Sequence, residues 1–460
     1  MKRRIVIVGG GLAGMAAALR VLDAGDEPVV VESRDYLGGR ATSFHDPRSG
    51  EVLDNCQHVV MGCCTNVLDF YERMGVGELI EWHEATYWAN PPHEPDVMRP
   101  GPLPAPGHFT FSFMRMRFLS LASKRAIARA MLRMMRIGLS GRARWTDRTF
   151  LEFLEETRQP AEAIDRFWRV VVVSACNLDL HEVGASFAMQ VFQEGFLSHR
   201  FASSMGLARV PLSELYDPFV EYLGREGGTL HSGTSALGIG FDGRRVTGVI
   251  TKHGLVEGSA VITAVPPERL ARLCSETLIA ADQRLQTLDR LEVSPILGVH
   301  LFFDAPVMTL PHLVLPGRDT HWLFNKGTDE QGRQHVHAVI SAAEDWMTLG
   351  QAEIRDRVLA DLVWALPGAA GLEPVGHRAI KENRATFRAA PGVDRIRPSV
   401  TAGLGVENLL LAGDWCDTGW PATMEGAVRS GYAAGAAACG GPAEVDDLPV
   451  ALGGRLLGLR

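Results

Sequence analysis

The chain has 460 residues, 46% of them hydrophobic and 22% charged, with a net charge of −8. This is an ordinary globular composition, long enough for two or three domains, and its acidity argues against a nucleic-acid binder. Its seven cysteines include no C-x-x-C pair, so no metal site and no disulfide framework is expected, and no apolar run is long enough to predict a membrane-spanning helix.

Residues 4–8 (Arg-Ile-Val-Ile-Val) read as a buried parallel strand. A glycine turn follows, with Gly9, Gly11 and Gly14 in G-x-G-x-x-G spacing, and Leu12 and Ala13 open a small-residue helix over 12–24. The first glycine permits the tight turn, the second lets the backbone approach a pyrophosphate, and the third lets helix and strand pack closely. The helix N-terminus then offers free N–H groups to phosphate. Residues 28–32 form the next strand, ending at Glu32, where a carboxylate is placed to accept ribose hydroxyls; Ser33 follows it. The strand–turn–helix–strand context makes this a dinucleotide site. The turn alone does not separate FAD from NAD.

Gly38-Gly39-Arg40 comes next: two glycines give the backbone room beside a ligand, and an arginine can pair with phosphate. Further on, Asp54-Asn55-Cys56-Gln57-His58 leads into an extended apolar stretch. The proline- and glycine-rich residues 91–108 read as a loop or domain crossing, residues 113–140 and 217–224 as helices, and residues 228–265 as alternating strands and turns. Leu409–Ala412 is a last buried strand. It runs through Gly413-Asp414 and a proline-containing turn into a last helix over 424–438.

Gly-Gly-Arg in this place resembles the extended N-terminal signature of the amine oxidase and phytoene desaturase superfamily of flavoenzymes. Residues 54–66 and 413–427 (GDWCDTGWPATMEGA) sharpen the likeness to the bacterial hydroxysqualene dehydroxylases, with the plant-type phytoene and ζ-carotene desaturases as neighbours. The resemblance runs from residue 4 to about 438; Cys56 departs from it, standing where the family is expected to have glycine. It implies non-covalent FAD. Asp414 would contact the ribityl and pyrophosphate region, Ala422, Thr423, Met424 and Glu425 would lie at the flavin, and Ala236 would lie near the adenine. A covalent link is not expected, because 385–391 holds no cysteine. His58, with Gln57 beside it, is the candidate near the reacting carbon. Asp54 would reach His58 only in a helix, and Glu425 reads as structural rather than as an acid.

The fold so implied is α/β. A Rossmann-type FAD-binding domain (1–80, 217–290 and 400–440) is interleaved with an α+β substrate domain (81–216 and 291–399) that carries a helical, membrane-facing subdomain. The implied reaction is reductive dehydroxylation of a linear C30 isoprenoid, hydroxysqualene, to squalene, with NADPH or NADH as reductant and hand-over from other enzymes of the same route. A carotenoid-type desaturase, an amine oxidase with Trp415 and Trp420 caging the amine, and a non-catalytic FAD-binding partner are the alternatives. Residues 97–146 hold ten Arg or Lys and no acid. Arg125, Arg129, Arg133 and Arg136 fall on one helical face, and Ile127, Met131, Met134 and Met135 lie elsewhere on the helix. That pattern suits either a docking helix on an anionic membrane, placing a cytoplasmic protein on the inner face of the cell membrane, or a domain helix with a solvated arginine face.

Overall fold

The computed structural model describes every residue except Met1, Ser49, Glu330 and 402–404; the last three, within the expected 400–440 segment, lie outside the described residues. Strand β1 (Arg4–Val8) occupies the middle of a five-stranded parallel sheet. β2 (Glu27–Val31) lies on one side of it and Ala260–Thr263 on the other, with Thr229–His231 and Leu409–Leu411 at the edges. Three distant segments thus build one sheet. Because most of its strands are covered on both faces, they read as the unbroken apolar runs Ile-Val-Ile-Val, Val-Val-Val and Leu-Leu-Leu.

Helix α1 (Leu12–Asp23) leaves β1 through the glycine turn. Gly9 has φ +106°, and a Cβ on Gly14 would stand 1.9 Å from the Gly9 carbonyl oxygen, so no side chain fits at either place. The last helix, Met424–Cys439, packs on α1 just as tightly. A Cβ on Gly431 would lie 2.1 Å from Ala13 O, and one on Gly435 would lie 2.6 Å from Ala17 O. Both contacts advance by four residues in the same sense, so the two helices run parallel with their N-termini at the same end.

A seven-stranded sheet forms the other layer. In spatial order its strands are Gly376–Phe387, Val293–Phe303, Gln334–Ser341, Trp322–Thr328, His312–Val314, Thr86–Asn90 and His93–Met98. Helix Gln351–Ala365 covers it with Ile354, Val358 and Leu362. The strand His93–Met98 falls within the stretch expected to be a loop. Pro95 is tolerated there because the strand is at the sheet edge and the proline sits at a register shift, where no ladder hydrogen bond is needed. A three-stranded sheet of Val59–Met61, Met205–Ala208 and Ile80–His83 joins the layers. The boundary expected at residue 80 cuts this sheet, since Ile80 and His83 belong to one strand.

Three further helices fill the space around it: α2 (Thr65–Arg73), α3 (Thr110–Arg115) and α4 (Leu121–Gly141). The helix expected over 113–140 is therefore two helices. Residues 116–120 interrupt it, and Ser120 Oγ caps α4 by accepting the Ser123 N–H at 3.2 Å. On α4 the four arginines 125, 129, 133 and 136 are exposed, while Ile127, Met134 and Met135 are buried in the main core. The apolar face of the expected docking helix is thus used for packing, and its exposed face carries the four arginines, with Leu121 exposed only at its start.

Gly431→Val should destabilise the fold by about 1–3 kcal/mol through overpacking against α1. It should also loosen cofactor retention, because the helix pair holds both helix N-termini. Denaturant unfolding of the variant, with and without added FAD, checks both effects.

Candidate functional site

The N-terminus of α1 is open. Gly11 provides no side-chain cap and the first turn holds no acid, so the N–H groups there are presented outward. Leu12, Ala13 and Gly14 are buried at this turn. Beside it Glu32 Oε2 accepts the Gly10 N–H at 2.6 Å, and Oε1 accepts Ser33 Oγ (3.0 Å) and the Arg34 N–H (2.8 Å). A carboxylate has about four acceptor sites, so Glu32 keeps capacity for a ribose hydroxyl, while the Ser33 hydroxyl is turned to Glu32. Gly38 (φ +97°) and Gly39 (φ +64°) bring the following loop against Gly11, whose absent Cβ would stand 3.7 Å from Gly39 Cα. Ala236 begins the strand Ala236–Phe241, and the Thr234 N–H donates to the Glu32 carbonyl at 2.8 Å, so the expected adenine end adjoins the ribose carboxylate.

Arg40 is engaged within the protein. Its guanidinium pairs with Asp414 and donates to the Ala385 carbonyl at 2.7 Å. The reason is electrostatic. Asp414 is almost fully buried and needs a counter-charge, and Arg40 supplies it from 374 residues away. The arginine expected on the pyrophosphate thus joins the two cofactor segments.

Gly413 (φ +145°) donates its N–H to Ser430 Oγ at 2.8 Å. Sequence reasoning missed Arg397, which staples the turn that follows. Its guanidinium is fully buried and donates to the carbonyls of Trp420 (2.9 Å) and Cys416, with longer contacts to Trp415 and Asp414 (3.4 Å). Thr423 caps the last helix, its Oγ1 accepting the Gly426 N–H at 3.1 Å, so its hydroxyl serves the helix; Ala422 and Met424 flank it, half-buried. Glu425 is also engaged elsewhere. Its fully buried carboxylate accepts the N–H groups of Asn66 (3.2 Å) and Val67 (3.0 Å), caps α2 from another helix, and pairs with Arg429 at 2.7 Å. Burial raises its carboxyl above the ordinary range against the pull of Arg429. Glu425 was expected among the cofactor contacts. The structure makes it a structural cap, because α2 has no side-chain cap of its own.

His58 Nδ1 donates to the Cys56 carbonyl at 3.0 Å, which leaves Nε2 as the acceptor. Burial holds its pKa below the ordinary value, so it is neutral near pH 7. Asp54 does not reach it. Burial would raise the Asp54 carboxyl, but Lys326 at 3.0 Å, Ser43 Oγ at 2.6 Å and the Leu212 N–H at 3.2 Å together hold it below the ordinary range. Gln57 is drawn to the same lysine, its Oε1 accepting Lys326 Nζ at 3.4 Å. Behind them stand three histidines that the sequence did not mark. His300 Nε2 donates to the Asp54 carbonyl at 3.1 Å, and its Nδ1 accepts His335 Nε2 at 2.9 Å. His337 stacks on His300 with centroids 3.9 Å apart. Among the described residues no group of side chains could hold a metal ion.

An open helix terminus, a glycine cradle, a ribose carboxylate and a second helix N-terminus running parallel to the first make a site suited to an extended dinucleotide. Comparison with known proteins agrees. The family model for flavin containing amine oxidoreductases matches residues 12–439, and the chain belongs to that family. It is a flavin-dependent oxidoreductase, and FAD is the cofactor that the family implies and that these residues fit. It is 25% identical over 447 residues to a 15-cis-phytoene desaturase of Narcissus pseudonarcissus, covering 93% of this chain and 78% of that protein. It is 24% identical over 450 residues to one of Synechococcus elongatus (93% and 94%), and 25% identical over 488 residues to a zeta-carotene desaturase of Zea mays (96% and 85%). Among solved structures, an oxidoreductase from Methanosarcina mazei matches with TM-score 0.71 at 19% identity (92% and 98% coverage), and putrescine oxidase bound to putrescine with TM-score 0.71 at 18% (95% and 98%). At that identity the structures speak for the fold. As for an amine cage, Trp415 donates its N–H to the Val265 carbonyl at 3.1 Å and Trp420 lies under Arg429, so both rings belong to the packing of the turn.

The buried histidines predict acid lability. Burial lowers His300 to about 4 and His335 to about 3, the latter with help from His300, and pushes His337 well below the ordinary value. Their folded pKa lies below the unfolded value of about 6.5, so the unfolded chain binds more protons between the two. Their contribution is intact above pH 6.5 and is lost as pH falls from there towards 4. At pH 5 each such histidine costs about 2 kcal/mol. Urea unfolding at pH 7.5 and 5.0 should show that loss, and His337→Phe, which removes one titrating ring and no hydrogen bond, should make it shallower.

Proposed function

We propose that the protein is an FAD-dependent desaturase of a long, linear isoprenoid of the phytoene type. The observation that carries this reading is the likeness to phytoene desaturases over 93% of the chain, which takes in the seven-stranded layer as well as the nucleotide fold. FAD held by the glycine turn, Glu32 and the second helix N-terminus would supply the acceptor for a hydride from a saturated carbon. The protein must then remove a proton from the neighbouring carbon. His58 is suited to be that base, because its tautomer is fixed by the Cys56 carbonyl, Nε2 has a free lone pair, and burial keeps the ring in its neutral, proton-accepting form near pH 7. Gln57 and Lys326, tied together and to Asp54, hold the segment that presents it. The cofactor is held without a covalent bond. Cys416, within the second cofactor segment, is fully buried, and burial keeps its thiol protonated.

A second reading, reductive dehydroxylation of hydroxysqualene with a nicotinamide as reductant, is favoured by the resemblance of residues 54–66 and 413–427. That direction needs an acid to release the hydroxyl as water, and a neutral His58 is poorly suited to be that acid near pH 7.

Product analysis separates the two. Purified holoprotein with phytoene and an artificial electron acceptor should yield a product with additional double bonds. Turnover only with hydroxysqualene and reduced nicotinamide, giving squalene, would replace the desaturase reading by the second. His58→Gln should retain FAD by absorbance and lower kcat on the order of 100-fold or more; an unchanged kcat would remove His58 from the chemistry.

A further inference from the structure

Several of the most exposed apolar side chains lie on two neighbouring short helices. Phe111 and Met114 on α3 are about half exposed, at 49% and 50%, and Leu452 and Leu456 on the short helix Leu452–Leu456 are 65% and 74% exposed; Leu103 and Leu457 lie alongside in sequence. The two helices share a surface. Gly453 backs onto the loop before α3, where a Cβ would stand 2.9 Å from Ala105 O and 3.4 Å from Pro106 Cδ. The Ala451 N–H donates to Ser198 O at 2.7 Å, and Arg200 Nη1 donates to Gly101 O at 2.8 Å.

The charge of this surface has one sign along the chain. Residues 97–146, 195–213 and 448–460 contain no Asp or Glu in a protein of net charge −8. Arg99, Arg115, Arg200 and Arg455 are exposed on it. Beside it opens a cavity of about 870 Å³, lined by Trp82, Tyr87, Phe111, Arg115 and Arg200 among others, and by Glu84, whose carboxylate lies 3.8 Å from the Arg200 guanidinium. The cavity wall formed by Ile80–His83 is one edge of the three-stranded sheet whose other edge, Val59–Met61, follows His58 directly. With one strand between them, the two edges are about 10 Å apart.

We propose that this surface docks on a lipid bilayer bearing anionic headgroups. Phe111, Met114, Leu452 and Leu456 enter the acyl boundary, Arg99, Arg115 and Arg200 meet the phosphates, and the cavity opens towards the membrane. Separate apolar side chains set among arginines that outnumber Glu84, the acid at the cavity, fit a fluid anionic interface. The purpose, admitting an apolar substrate along the sheet to His58, rests on the desaturase reading; the docking itself does not. The basic face of α4 is not the docking surface, because its apolar residues are buried.

Flotation of the full-length holoprotein with vesicles of phosphatidylcholine, alone or with one-third phosphatidylglycerol, tests this. Wild type should float with the anionic vesicles and much less with the neutral ones. Leu452→Glu/Leu456→Glu and, separately, Phe111→Glu/Met114→Glu should lower the bound fraction at least ten-fold while flavin absorbance and circular dichroism stay unchanged. Arg125→Glu/Arg129→Glu/Arg133→Glu on α4 should stay within about three-fold of wild type. Undiminished binding by both apolar pairs, loss confined to the α4 variant, or no vesicle binding by wild type would each overturn the proposal. Product formation from detergent-solubilised phytoene reads the function separately, so either idea can fail alone.

Discussion

The contact between α1 and the last helix sets the geometry of everything that holds the cofactor. Ala13 opposite Gly431 and Ala17 opposite Gly435 fix the two helices side by side, parallel and in register. At this level α1 has one residue left before its start and the last helix has seven. A rise of 1.5 Å per residue therefore carries the second N-terminus about 9 Å beyond the first. Two positive helix ends, offset along one direction, suit a ligand with a pyrophosphate at one point and a ring that gains negative charge further on. Any larger residue at 431 or 435 would separate the helices and lose that offset.

The rest of the site is a set of charges that secure the two segments to each other. Arg40 neutralises the buried Asp414, Arg397 collects the carbonyls of the turn between 414 and 420, and Glu425 reaches sideways to cap α2. None of these bonds lies within one element. The first two join loop to loop, and the third joins helix to helix. Removing any partner would leave a charge or a row of carbonyls buried without compensation.

The strand, glycine turn, helix and terminal glutamate were legible because a βαβ nucleotide unit is specified within about 30 residues, by glycines that have no substitute and by runs of apolar residues. The strand–turn–helix at 409–439 was legible for the same reason. Arg397, Lys326 and the histidines 300, 335 and 337 were not. An arginine in a loop or a histidine in a strand carries no local signal, and its role appears only when the fold brings it against residues distant in sequence. Arg40 and Glu425 were recognised as important, but their partners could not be read, because a carboxylate or guanidinium can serve a ligand or the protein equally well. The sequence of α4 was ambiguous in a different way. Charge on one face and methionine on another describe a helix on a bilayer and a helix on a core alike. The core took it, and the apolar residues proposed for an interface lie on α3 and the short helix Leu452–Leu456 instead.

That ambiguity bears on chemistry as well. Hydride transfer to or from a flavin can run either way, and no residue that holds the cofactor decides the direction. What the protein does control is whether a proton is waiting to be given or a lone pair is waiting to receive one. Burial without a carboxylate partner makes each histidine of this cluster neutral: His58 with its single carbonyl contact, His300 between a carbonyl and another imidazole, and His337 with only a stacked ring. Asp54 is itself held ionised by Lys326 and spends its hydrogen bonds on groups other than His58, and Glu382 accepts Asn55 Nδ2 at 3.1 Å. Burial weakens these imidazoles as bases, yet near pH 7 it leaves none of them in the protonated form that would donate, so of the two roles Nε2 of His58 is equipped for the acceptor.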